Sequence, residues 1–177
     1  MEIISSERLA IRTTKESDIL LLHERIFSVP EVIKYVFGGK SFSSTESEAF
    51  IREKFNFQVS KTGLFSLVEK ASRRVIGFAG IIPCTHLGQD DFEFGYVLEK
   101  NSWGKGYATE IGKAQIEYVF QNLDCHRILA LVNPQNTPSI HVLNKLQMKY
   151  ETDVMVDGRG LRRVYLRNSI SKCHYIN

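Results

Sequence analysis

The segment DFEFGYVLEKNSWGKGYATEI, residues 91–111, changes its periodicity halfway along, and this change constrains the fold more than any other feature of the chain. Up to Leu98 the apolar residues recur at every second position, the spacing of a strand. After Gly104 they recur as Tyr107, Ile111, Ala114 and Tyr118, the spacing of a helix. Two glycines around one lysine stand between. A strand that runs through such a turn into a helix presents unpaired backbone N–H groups at the positive end of the helix dipole. That is an anion site. Glycine at 104 and 106 keeps side chains away from those N–H groups, and Lys105 adds a mobile positive charge. A pyrophosphate fits this description, and on two glycines alone so does a tight turn without a ligand. No G-x-x-x-x-G-K-[ST] loop is present, and Thr109 stands where a dinucleotide loop needs its third glycine or small residue.

The flanking sequence supplies the rest of an α+β domain. RLAIR reads as a strand from Leu9 to Arg12, and Thr13 with Glu16 has capping-box spacing ahead of the helical run DILLLHERIF, which Pro30 interrupts. EVIKYV suits a shorter helical turn. Ser43 with Glu46 opens another helix, with Phe50, Ile51, Phe55 and Phe57 on a partly apolar face, ending before Gly63. LFSLVE and RVIGFAGII read as a hairpin around KASR, and DFEFGYVL as a third strand. RILALV is a buried strand. In NTPSIHVLNKLQ, Asn136 is placed as an N-cap and Pro138 in the first helical turn. KYETDVMVDGRGLRRVYLR predicts two strands around DGRG, followed by a loose tail over 169–177. This order amounts to about seven strands and about four helices.

Composition narrows the function. At 177 residues with 43% hydrophobic and 24% charged, the chain suits a single domain, expected over 1–168. Lys and Arg number 23 against 20 Asp and Glu, without long runs of one sign, which argues against a dedicated nucleic-acid binder and leaves small anionic ligands open. Cys84, Cys125 and Cys173 are odd in number, far apart and without metal-ligand spacing. Free thiols, no metal and a cytoplasmic location are expected. The N-terminus has no apolar core of signal-peptide length and no later run approaches a membrane span, so neither secretion nor membrane insertion is expected.

From about Glu7 to Arg167 the chain resembles the GNAT superfamily of N-acetyltransferases, and within it the branch of RimJ and RimL, which acetylate ribosomal-protein N-termini. The family's acyl-CoA loop follows Q/R-x-x-G-x-G/A; NSWGKG matches at both glycines and places Asn101 where Gln or Arg is usual. RLAIR, VIGFAG, EFGY, WGKGYATE and NTPSIHVLNKLQM match the branch in order. Gln147 and Met148 stand where Gly and Phe are common, which puts the turn after that helix in question. The resemblance implies a mixed, mainly antiparallel sheet whose cosubstrate, acetyl-CoA, lies where two neighbouring strands splay apart.

Carried over by motif, the backbone of Tyr96, Val97 and Leu98 would pair with the pantetheine. Trp103, Gly104, Lys105, Gly106, Tyr107 and Ala108 would surround the phosphates. Asn136 would bond the cofactor, although its spacing also makes it an N-cap for the Ser139 N–H. Ser139 would lie near the sulfur and donate to the leaving thiolate. Many relatives use a tyrosine four residues further on, where this chain has Leu143. Strand alternation puts Glu93, Gly95 and Val97 on one face and Phe92, Phe94, Tyr96 and Leu98 on the other. Glu93 is then a solvent-facing residue or, as the family commonly has it, a base acting through water. Asp90 and Asp91 are candidates to attract a cationic substrate. Cys84, His86 and His141 show no nucleophile-and-base arrangement, and surface or packing roles are expected for them.

The expected activity is direct acetyl transfer from acetyl-CoA to a primary amine, such as that of a protein N-terminus, by a monomer or homodimer. A non-catalytic acyl-CoA sensor would need Gly104, Gly106 and Asn136 but not Glu93 or Ser139. An RNA- or ribosome-associated module is suggested by GRGLRR, residues 158–163, against the small net charge.

Overall fold

The computed structural model describes residues 1–169. Its strands are β1 (Glu2–Ser5), β2 (Leu9–Arg12), β3 (Gly63–Glu69), β4 (Arg74–Cys84), β5 (Asp91–Leu98), β6 (Arg127–Val132), β7 (Lys149–Val156) and β8 (Gly160–Asn168). The helices are α1 (Glu16–Leu22), which continues through a π-helical turn over His23–Phe27, α2 (Pro30–Ile33), α3 (Ser44–Lys54), α4 (Tyr107–Asn122) and α5 (Thr137–Lys145). All eight strands form one sheet in the order β1-β2-β3-β4-β5-β6-β8-β7. Every neighbouring pair is antiparallel except β5 and β6. Among the described residues no helix is long and apolar enough to cross a membrane. The tail expected over 169–177 lies outside the described residues beyond Ser169.

The sheet has one strand and one helix more than expected. EIIS does not alternate apolar with polar residues, so periodicity misses β1; it forms because β2 offers an edge, which it joins with a bulge between Glu2 and Ile4. α2 is four residues long and stands on its packing, with Pro30 in its first turn and Ile33 fully buried.

The sheet separates two cores. On one face, Ile111, Ile116 and Val119 of α4 and Leu143 of α5 pack over Ile76, Ile81, Phe94 and Ile128. On the other, α1 to α3 cover the sheet through an aromatic cluster. Phe27 lies at its centre, stacked on Phe78 with ring centroids 5.7 Å apart and touching Phe37, Phe42, Phe50 and Phe55. This cluster anchors the segment that walls the candidate site.

Two caps differ in outcome. Ser43 and Glu46 close the predicted box, with the Glu46 N–H donating to Ser43 Oγ at 3.2 Å and the Ser43 N–H to Glu46 Oε2 at 2.7 Å. Thr13 and Glu16 do not. The helix starts after Lys15, whose N–H donates to Asp18 at 2.9 Å, while Glu16 turns outward to Arg52. Asp18 wins because Arg12 and Ser66 draw its carboxylate inward, where it also serves as the cap.

Gln147 resolves the turn after α5. Its φ of +59° is the left-handed conformation glycine would supply, at a cost of roughly 1–2 kcal/mol for a side-chain-bearing residue. The motif closes nonetheless: the Met148 N–H donates to the Leu143 carbonyl at 3.0 Å and the Gln147 N–H to that of Asn144 at 2.9 Å. Met148 is buried against the core, which offsets the strain.

Candidate active site

β5 and β6 run side by side but pair at a single position, Glu93 with Leu129. The closed end is clamped by an ion pair: Arg127 Nε and Nη2 each lie 2.7 Å from an Asp91 oxygen. Past Glu93 the strands separate. Asp91 is 4% exposed and consumed by this clamp, so it does not serve to attract substrate.

The gap leaves backbone groups of β5 open. The Glu99 N–H donates to Ile76 of β4 at 2.8 Å. Strand alternation therefore turns the amide groups of Val97 toward β4 as well, and those of Tyr96 and Leu98 toward the gap. Trp103 takes one of these, donating its indole N–H to the Leu98 carbonyl at 2.9 Å. Tyr96 and the Leu98 N–H remain as edge groups for an extended amide ligand; Val97 faces away from that edge.

At the mouth of the gap, Gly104 and Gly106 have φ of +73° and +80°. The glycines are thus required first by backbone geometry, and a Cβ on Gly104 would meet nothing within 4 Å on the open side of the loop. Gly106 is the N-cap of α4 and has no side chain to accept from the first-turn N–H groups, which leaves them for an external acceptor. Ala108 sits in that turn, and Lys105 is exposed beside it. Tyr107 turns the other way: it is 7% exposed, its hydroxyl donates to Glu69, and Arg8 stacks on its ring. Arg8 also binds Glu110 and the Lys105 carbonyl, bracing the loop from behind. Backbone donors, a positive helix end and a free lysine fit the phosphates of CoA. Gly106→Val is expected to weaken CoA binding about tenfold or more, because a branched side chain resists the left-handed conformation that presents the first-turn N–H groups and stands over them. Calorimetric titration checks this, and full affinity in the folded variant would remove the loop from phosphate binding.

Deeper in, the cleft is lined by Tyr35, Phe37, Glu93, Gly95, Asn136 and Ser139 among others. Asn136 accepts from the Ser139 N–H at 3.3 Å, so the predicted cap is formed. Tyr96, named from sequence for its backbone, also brings its side chain near Ser139. Burial pushes this phenol up to about 12 against a smaller opposing pull from the Ser139 side chain, so it stays protonated. A tyrosine is therefore present at the serine, although it comes from β5 and not from α5. No sequence spacing could show that, because the contact joins residues from two elements.

Glu93 is not solvent-facing. It is 8% exposed, with Arg159 Nη2 at 2.7 Å from one oxygen and His86 Nε2 at 3.2 Å from the other. Burial raises its carboxyl, but the hydrogen bonds and charges of His86 and Arg159 lower it by more, so it is ionised at neutral pH. His86 thus has a specific partner that its sequence position did not disclose. Cys84 is no nucleophile: burial and the nearby Glu93 charge push its thiol up to about 11. The GRGLRR segment also reads differently in three dimensions, since Arg159 and Arg162 point into the cleft and do not form an outward basic patch.

A sheet split at its one parallel pair, with an anion loop at the mouth and hydroxyls within, defines an acyltransferase that works on a nucleotide-linked thioester. The family profile described as "Acetyltransferase (GNAT) domain" matches residues 8–149, and the chain belongs to that family of N-acetyltransferases. It is 34% identical over 154 residues to the uncharacterized N-acetyltransferase p20 of Bacillus licheniformis, covering 85% of this chain and 84% of that one. The crystal structure of a GNAT-family acetyltransferase from Bacillus anthracis superposes with a TM-score of 0.77 at 27% identity, covering 93% and 97% of the two chains. Spermidine N-acetyltransferase from Vibrio cholerae, solved with CoA and spermine, shares the fold at a TM-score of 0.72 and 19% identity, covering 91% and 95%.

Proposed function

We propose that the chain transfers the acetyl group of acetyl-CoA directly to an α-amine, that of a protein N-terminus, as in the RimJ and RimL branch. Acetyl-CoA supplies the acyl group on a thioester whose carbonyl an amine can attack. The loop over 104–108 would hold its phosphates, and the Tyr96 and Leu98 edge would align its pantetheine. Ser139 and Tyr96 would donate to the sulfur as the C–S bond breaks, so that CoA leaves as a thiol. The attacking nitrogen forms the amide and releases one proton to water beside Glu93, and one proton from water restores the hydroxyl that protonated the sulfur.

The observation that carries the α-amine reading is the state of Glu93. It is the one carboxylate among the described residues lining the cleft, and it is tied to Arg159 and His86 with its carboxyl lowered. Such a group is a weak base, so the reactive neutral fraction of the amine must come from its own acid–base equilibrium. At pH 7 roughly one α-amine in ten is neutral, against about one in 2,500 of lysine-type amines. Polyamines would also need carboxylates that this cleft does not offer. The test is a turnover-versus-pH series with N-terminal peptides and with spermidine. We expect peptide turnover to rise with pH and level off above about 8, the α-amine value. Faster turnover of spermidine at pH 7 would overturn the reading.

A further inference from the structure

Arg162 lines the same cleft and is 4% exposed. Its guanidinium donates to its neighbour Leu161 at 2.8 Å and to the Tyr35 carbonyl at 3.4 Å, both neutral oxygens. Among the described residues it forms no ion pair. Glu93 is already taken by Arg159 and His86. The charged side chains lining the cleft are therefore one carboxylate and two guanidiniums, a net of one positive charge. Burying an arginine without a paired counter-charge is costly: burial disfavours its charged form most, Arg159 nearby adds repulsion, and Glu93 gives a smaller attraction that it already spends on Arg159. A guanidinium presents a planar fork of donors that matches a carboxylate, and one carbonyl contact at 2.8 Å with a long one at 3.4 Å leaves part of that capacity unspent.

We infer that Arg162 receives an anionic group of the acceptor, and that the acceptor is an α-amine carrying a carboxylate close to the reacting nitrogen. This rests on the α-amine reading above. A carboxylate there would cancel the excess charge of the cleft, and Arg162 would position the amine through it, beside Glu93. The wall opposite supports such a role: Arg162 also holds the Tyr35 carbonyl, and Phe37 on the same segment is fixed by the aromatic cluster. Two sources provide this chemistry, a peptide whose first or second residue is Asp or Glu, and a free α-amino acid.

The experiment compares kcat/KM on five acceptors: peptide amides beginning with Asp or Glu, matched peptides with Asn or Gln, free amino acids, the corresponding amino-acid amides, and spermidine. We expect the carboxylate-bearing peptides or amino acids to exceed their neutral or amidated counterparts at least about tenfold, the worth of one charge-assisted pair, mostly in KM. Which of the two responds identifies the source. R162Q is expected to erase that preference, bringing kcat/KM on the acidic peptides down to the value on their matched neutral counterparts. The wild-type panel needs no variant, so it decides the matter even if R162Q folds poorly. Equal rates on acidic and neutral α-amines would overturn the role of Arg162 and leave the α-amine reading standing. Preference for spermidine over every α-amine would overturn both.

Discussion

Tyr96→Phe is expected to lower kcat about 10²-fold, at the lower end of what a positioned proton donor contributes, with CoA affinity nearly unchanged. The leaving group is a thiolate, and a phenol held up at about 12 is protonated throughout the working range, so it can donate at any such pH. Ser139, in the first turn of the helix that opens at Asn136, lies near that phenol. If the two hydroxyls act as one donor, Ser139→Ala and the double variant should lose about as much as Tyr96→Phe alone. Single-turnover kinetics with CoA release as the readout measure this. Multiplying losses would mean independent roles, and an unchanged kcat in Tyr96→Phe would leave water as the donor. The edge amides of Tyr96 survive the substitution, which separates its side chain from its backbone.

Asp18→Ala should be the most damaging single change to stability, costing about 3–5 kcal/mol out of a typical total of 5–15. Asp18 is 2% exposed and accepts from Arg12 at 2.6 and 2.9 Å, from Ser66 at 2.8 Å and from the Lys15 N–H at 2.9 Å. It joins β2, β3 and the start of α1, so its removal strands a half-buried guanidinium and uncaps a helix together. The pH dependence has a definite sign. Burial raises the Asp18 carboxyl, the Arg12, Lys15 and Ser66 hydrogen bonds lower it by more, and the net value in the fold is below that of the unfolded chain. Its stabilisation is therefore full above the unfolded value of about 3.9 and is lost as pH falls through the folded one. Glu93 and Glu110 shift in the same direction and add to the acid sensitivity. Urea unfolding of the wild type should thus lose stability steeply below about pH 4, and Asp18→Asn should flatten part of that slope. Parallel pH curves for the two proteins would show that Asp18 is not an acid-sensitive anchor.

What the sequence determined by itself were the features that local chemistry writes into neighbouring residues. The switch of period at Gly104, the hairpin of β3 and β4, the Ser43 box and the Asn136 cap each involve groups a few residues apart, so spacing alone specifies them. The glycine loop was legible for the same reason, since a strand, a turn and a helix in succession leave little freedom in where their N–H groups point. Tertiary structure decided everything that depends on two distant segments meeting. β1 exists because β2 gives it an edge, and Asp18 displaces Glu16 as the cap because Arg12 and Ser66 reach it from two strands. In the site, the Tyr96 side chain comes to lie near Ser139 of another element, and Arg159, 66 residues from Glu93, holds that carboxylate in an ion pair. Arg162 looked like part of a surface basic run until β8 carried it inside. Charge balance in a cleft is a sum over residues from many elements, and a sum of that kind is fixed only when the sheet closes and splits.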